Sequence, residues 1–391
     1  MHIDFDEIVD RRGTYSSKWD VKDGELPLST ADMDFKAAPE IIEALEKRVA
    51  HGIFGYTDVA DEWYDVIIDY YDRRHGLKFS KDDLLFATGV IPTISSVIRK
   101  LTTPAEKVLV MTPVYNIFFN SIINNGRFPL ESELIVKDGQ YTIDFDDLEA
   151  KLKDPQCTMM ILCDPHNPVG RIWHEDELVR IGELCFKNHV TVISDEIHGD
   201  LTDPGKRYVP FASVSELNKR ISITCIAASK AYNLAGLQSS AIVVYDERLR
   251  NKVRRAINTD EVAEPNAFAM VATIAAFKES EYWLDELRDY YFANKEFIKE
   301  YIAKNIPALK ILDSEATYLL WIDHSALKIG STTLSRHIRE TSGLILSDGS
   351  IYHGDGLDHL RMNTAYPRSV IKDALERLKK SIDILEERKG I

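Results

Sequence analysis

Residues 221–237 read ISITCIAASKAYNLAGL. From Ile221 to Ala228 the run is apolar at most positions, and Ser229 and Lys230 follow directly. A strand with one solvated face alternates between apolar and polar residues. A nearly unbroken apolar run is what a strand covered on both faces requires. A lysine emerging from the end of such a strand can be desolvated, which lowers its pKa and makes its amine nucleophilic. An isolated Ser-Lys pair also fits an ordinary surface loop, so the flanking sequence has to decide between the two.

The same pattern recurs on both sides. LLFAT (84–88), KVLVM (107–111), TMMILC (158–163), VTVIS (190–194) and SAIVVY (240–245) are short apolar runs. Helical stretches separate them: VIPTISSVIRKL after Gly89, residues 175–188, and DERLRNKVRRAI after Tyr245. Buried strands alternating with helices predict an α/β fold with a mostly parallel sheet. Ahead of it, residues 39–51 and the stretch DEWYDVIIDYYDRRH read as helices, each stopped by a glycine, Gly52 and Gly76. From about residue 280 the pattern changes. Long helices (283–304 and 369–387) bracket short strands such as TYLLWI (317–322) and LILS (344–347), which predicts a smaller α+β domain joined by N-terminal residues. A chain of 391 residues is longer than one hydrophobic core fills. The expected division is a large domain over 50–280 and a small one over 1–49 and 281–391.

Bulk properties narrow the partners. The net charge of -15 argues against a nucleic acid or an anionic membrane surface. The start, MHIDFDEIVDRRG, carries early acidic residues and no apolar core of a signal peptide. No apolar run approaches the roughly 20 residues that span a bilayer. Cys157, Cys163, Cys185 and Cys225 form no C-x-x-C pair and are expected to be reduced core residues. These features point to the cytoplasm.

Polar residues of compatible chemistry collect just after the strand ends, where open α/β sheets bind ligands. Beside Lys230, Asp195 closes the strand in VTVISDEIHGD; a carboxylate there can pair with a protonated pyridine nitrogen and keep such a ring cationic. It also suits a helix N-cap. A metal site from Asp195, Glu196 and His198 lacks a ligand spacing. Asn167 sits in CDPHNPVGRIW, where flanking prolines fix a turn and place its amide. Gly89 opens a strand-to-helix turn whose free N–H groups suit an anion. Tyr115 can stack on a flat ring, and Arg361 in LRMNTAYPR can grip a carboxylate with two N–H groups. Taken singly, each of these residues also has an ordinary structural reading.

Their order and spacing carry a resemblance. DPHNPVG, SDEIHGD with Asp195 28 residues after Asn167, SKAYNLAGL with Lys230 35 residues after Asp195, and LRMN near the C-terminus resemble the class I/II aminotransferase superfamily, PLP fold type I. ADMDF (31–35), IFGYTD (53–58), TPVYNIFF (112–119) and DEIH resemble its MalY/PatB-type cystathionine β-lyase (C–S lyase) branch. The resemblance implies a large domain with a mostly parallel seven-stranded sheet, and pyridoxal 5′-phosphate (PLP) as cofactor. It implies that Lys230 holds PLP as a Schiff base and is the catalytic base, that Asp195 pairs with the ring nitrogen, and that Asn167 contacts the ring phenolate. It implies that Tyr115 stacks on the ring, Gly89, Val90 and Ser229 cradle the phosphate, and Arg361 binds the substrate carboxylate with Asn167. Tyr56 is expected to reach the phosphate and substrate of a neighbouring subunit, hence a homodimer with shared sites.

Three positions depart from the family. Ala227 and Gln238 stand where many aminotransferases carry a phosphate-binding serine and arginine, so the phosphate rests on fewer groups. His198 replaces the usual tyrosine as a neighbour of the phenolate. The implied reaction is cleavage of L-cystathionine to homocysteine, pyruvate and ammonia. An aminotransferase for aromatic or neutral amino acids would use every residue named. A regulatory protein of this branch that binds a transcription factor is a third reading.

Overall fold

In a computed structural model, described over residues 3–389, the six apolar runs and one further strand form a seven-stranded sheet. Its strands are β1 (Leu84–Ala87), β2 (Lys107–Thr112), β3 (Phe128–Glu133), β4 (Cys157–Cys163), β5 (Thr191–Asp195), β6 (Ser222–Ile226) and β7 (Ser240–Val243). The order is β1-β7-β6-β5-β4-β2-β3. From β6 to β3 every neighbour is parallel, and β7 alone runs against both β1 and β6.

The absence of alternation in these strands has a direct cause. Along β2, Val108 and Val110 pack on one face with Ile94, Val97 and Val253, while Leu109 and Met111 pack on the other with Trp173 and Leu178. Successive side chains point to opposite faces, so two covered faces need apolar residues at every position. On the first face lie the helices Val90–Leu101 and Glu247–Thr259, and on the second the helix Glu175–Lys187.

β3, FPLESE, has no apolar run and was not legible as a strand. It is an edge strand paired only with β2, with Phe128 and Glu133 exposed, and such an edge accommodates Pro129.

A second, antiparallel sheet follows in the C-terminal part. Its strands are β8 (Lys310–Ile311), β9 (Leu319–Asp323), β10 (Ser347–Asp348) and β11 (His359–Asn363), in the order β8-β9-β11-β10. The helices Glu281–Asn305 and Arg368–Lys389 bury Ile298, Ile302, Leu375 and Leu378 against Leu320, Ile322, Leu360 and Met362. Leu26 and Leu28 enter the same core, because Leu26–Pro27 pairs in parallel with Leu344–Ile345. The expected single strand over 344–347 is two short ones, interrupted at Leu346. All four cysteines are buried and free. Among the described residues no helix is long and apolar enough to cross a membrane.

Candidate active site

The carboxyl ends of β4, β5 and β6 stand at one level, because Cys163 is in register with Asp195 and Asp195 with Cys225. A cavity of about 290 Å³ opens just beyond that level. Its walls include Gly89, Val90, Tyr115, Asn167, Asp195, His198, Ser229 and Lys230. Arg361 reaches the same place from β11 through a hydrogen bond to Asn167. Tyr56 is not brought there: its side chain is fully exposed in a stretch without regular structure.

Lys230 lies in a single helical turn, Ala228–Ala231, that follows β6. Its Nζ donates to the Ala31 carbonyl across 2.5 Å. Burial pulls its pKa down to about 8, helped by the positive charge of Arg361 and opposed by Asp32 and Asp195.

Asp195 ends β5 and is buried. Burial pushes its carboxyl up to about 7; a backbone N–H from Ile197 at 3.2 Å and the charge of Lys230 offset this only in part. A nearby cation would return it to its ordinary acidity. His198 is buried with no partner for Nδ1 among the described residues. Burial, with the charges of Lys230 and Arg361, lowers its pKa to about 3, so the imidazole is neutral. Glu196 serves a different site, accepting from Ser194 Oγ at 2.7 Å, the Phe211 N–H at 3.0 Å and the Tyr208 hydroxyl. Among the described residues no group of three or more His, Cys, Asp or Glu is placed to hold a metal ion.

The turn carrying Asn167 is held on several sides. The His166 ring bonds the Pro113 carbonyl through Nε2 at 2.8 Å, the His166 N–H donates to Arg171 O, and the Gly170 N–H donates to His166 O. Gly170 has φ +71°, and a Cβ there would lie 2.6 Å from Ser314 Cβ and 2.8 Å from Ala316 O, so both conformation and space call for glycine. Arg361 Nη1 donates to Asn167 Oδ1 at 3.0 Å and Nη2 to Ser29 O at 2.8 Å. The guanidinium lies over the Tyr352 ring at 5.0 Å, and its Nε is buried without a partner among the described residues.

Gly89 caps the helix Val90–Leu101, and the first amides of that helix have no preceding carbonyl to bond. Tyr115 borders the cavity edge-on to Phe118, and burial raises its hydroxyl to about 12. Of the two departures at the expected phosphate site, Gln238 lines the cavity in a left-handed conformation (φ 53°), whereas Ala227 is buried away from its walls.

One wall was not foreseen. The backbone of residues 29–31 supplies Ser29 O to Arg361 and to Ser347 Oγ, and Ala31 O to Lys230 and to the Tyr318 hydroxyl at 3.1 Å. Backbone carbonyls have no sequence signature. The one signal was the ADMDF resemblance beside them.

The chain has relatives among known proteins. The aminotransferase class I and II family model matches residues 23–378. The chain is 40% identical to cystathionine beta-lyase PatB of Bacillus subtilis, over 97% of this chain and 100% of that one. Its fold is similar to a PLP-bound putative aminotransferase from Clostridium difficile 630, with a TM-score of 0.95 and 39% identity over 97% of this chain and 100% of that one. It is equally similar to cystalysin from Treponema denticola, which contains a PLP cofactor (TM-score 0.95, 34% identity, 98% of this chain and 100% of that one). The chain belongs to the aminotransferase class I and II family.

Proposed function

We propose that the chain is a PLP-dependent carbon–sulfur β-lyase that cleaves L-cystathionine to homocysteine, pyruvate and ammonia. The observation that carries the PLP chemistry in this reading is a buried lysine and a buried carboxylate, Lys230 and Asp195, on the walls of one cavity, the first with its pKa lowered and the second with its pKa raised by burial. The identity to a cystathionine beta-lyase supports the lyase outcome over amino-group transfer.

The residues fit PLP. Asp195 is a buried acid in want of a cation, as a protonated ring nitrogen provides. Arg361 occupies Asn167 Oδ1, which leaves the Asn167 amide N–H groups for a ring phenolate. The neutral His198 borders the same space. Gly89, Val90 and Ser229 lie together where helix amides suit a phosphate. Bound PLP supplies an aldehyde for an amino acid's nitrogen and a cationic ring that takes up electron density from its α-carbon.

The chain's own residues do the rest. Lys230 holds the cofactor between turnovers and, once freed, takes the substrate's α-proton on Nζ as general base. A pKa near 8 leaves part of that amine neutral at neutral pH. Arg361 grips the α-carboxylate, and Tyr115 packs on the ring face. Departure of the thiolate from Cβ and addition of one water give one thiol, one pyruvate and one ammonia per thioether.

The exposed Tyr56 suits a homodimer in which it completes the neighbour's site. The domain division at 50–280 against 1–49 with 281–391, and a cytoplasmic location, belong to the same proposal. The free, buried cysteines are consistent with that location.

The test is L-cystathionine added to the purified yellow protein without any 2-oxo acid, with thiol and pyruvate followed together. Equal release of both is expected. Amino-group transfer to an added 2-oxo acid, without thiol release, would overturn the lyase reading.

A further inference from the structure

Lys230 stands between two cavities. One is the 290 Å³ cavity just described, and the other, of about 540 Å³, shares Ala31, Lys230 and Ala235 with it as a common wall. The bond from Lys230 Nζ to the Ala31 carbonyl lies in that wall.

The second cavity carries an ion cluster of its own. Arg11, Asp32 and Asp34 line it, and Lys18 lies beneath them, fully buried. Arg11 Nη2 meets Asp32 Oδ2 at 2.8 Å, and Nη1 meets Asp34 Oδ1 at 2.5 Å. Lys18 Nζ lies 3.0 Å from Asp32 Oδ1 and 3.2 Å from Asp34 Oδ1. Taking ions out of water is costly even when they are paired. No step of the reaction above uses any of these four.

Exposure divides the cluster. The side chains of Lys18 and Asp34 are sealed, at 0% and 5%, whereas those of Arg11 and Asp32 keep 23% and 24%. The part of the cluster that faces the cavity is therefore one cation and one anion side by side, balanced from behind by the sealed pair; Arg11 also donates to Met33 O at 3.2 Å and to Ser16 Oγ at 3.0 Å, so a ligand there shares or displaces these bonds. Asp32 directly follows Ala31, whose carbonyl touches the reacting lysine. One cation beside one anion is the complement of an amino-acid head group, carboxylate to Arg11 and ammonium to Asp32.

We propose that Arg11 and Asp32 form a subsite for the distal amino-acid head group of a thioether or disulfide, so that the chain selects substrates with a second zwitterion beyond the sulfur, the cystathionine and cystine class, over simple S-alkyl cysteines. In L-cystathionine two methylene groups carry the distal α-carbon, with its carboxylate and ammonium, away from the sulfur. An S-alkyl group has nothing to offer either ion. The subsite rests on the lyase reading, and the test separates the two.

The holoenzyme is assayed for thiol release with L-cystathionine, S-methyl-L-cysteine, S-(3-carboxypropyl)-L-cysteine, which lacks the distal ammonium, and S-(3-aminopropyl)-L-cysteine, which lacks the distal carboxylate. Loss of either distal charge is expected to lower kcat/KM about tenfold or more, mostly through KM, as for a lost bond to a charged group. In Asp32→Asn the ratio of kcat/KM for L-cystathionine over S-methyl-L-cysteine is expected to fall about tenfold. Equal losses on both substrates would show that Asp32 acts only through the charge of Lys230, and would overturn the subsite. Arg11→Gln provides the same ratio should Asp32→Asn fail to fold around Lys18. Equal efficiency on all four substrates overturns the subsite alone; no thiol from any of them overturns the lyase reading and the subsite with it.

Discussion

Arg361 Nη1 donates to Asn167 Oδ1 across 3.0 Å and so ties β11 to the turn after β4, across 194 positions of chain. The same guanidinium spends Nη2 on the Ser29 carbonyl. One planar group thus spaces three separate stretches of chain around the cavity. Lysine keeps the charge but lacks the fork. Arg361→Lys is expected to lower kcat/KM for thiol release from L-cystathionine by on the order of 100-fold, the worth of one or two bonds from a charged donor. Activity within threefold of the parent would show that charge alone suffices there.

Lys230 offers a readout that does not depend on turnover. Its amine, pulled down to about 8 by burial, should be half neutral near that pH in the cofactor-free protein, while ordinary lysines titrate near 10.4. Acetylation at Lys230, followed by peptide mass spectrometry, should rise with pH to a midpoint near 8. A midpoint above about 10 would mean that the amine is solvated. Lys230→Ala should remove thiol and pyruvate release altogether.

Asp195 is predicted to cost the cofactor-free protein stability. Its carboxyl lies near 7 when folded, against 3.8 ordinarily. Between those values the folded protein keeps a proton that the unfolded chain has released. Stability therefore falls as pH rises through the window, and the full cost is present above about pH 7. Asp195→Asn does not titrate, so at about pH 8 it should be more stable than the parent by up to about 4 kcal/mol, with little gain near pH 4. Urea midpoints of the cofactor-free proteins at both pH values measure this. A gain independent of pH would contradict it.

Gly170 holds the turn of Asn167 by conformation and by space. Gly170→Ala adds a methyl at φ +71° that would strike Ser314 and Ala316 O. A destabilisation of roughly 2–4 kcal/mol is expected from left-handed strain plus overpacking. Chemical denaturation of the variant tests it, and a change under about 0.5 kcal/mol would show that the turn yields freely.

The two kinds of information divide along physical lines. Strands covered on both faces are apolar at most positions, so β1, β2, β4, β5, β6 and β7 could be read from the chain. The edge strand β3, half wetted, could not. That Lys230, Asp195 and Asn167 would stand together could be expected, because each lies at or within four residues of the end of such a strand, and strand ends in a parallel sheet meet at one level. The antiparallel course of β7 left no trace in its sequence, since a buried strand is apolar in either direction. What only the tertiary structure decided is which carbonyls face these side chains and which ions face the cavity. The backbone of residues 29–31 under Lys230 and Arg361, and the sealing of Lys18 behind Asp32, depend on burial and on contacts between distant segments. Side-chain identity records the chemistry available at a position, but its charge state and partners are set by the fold around it.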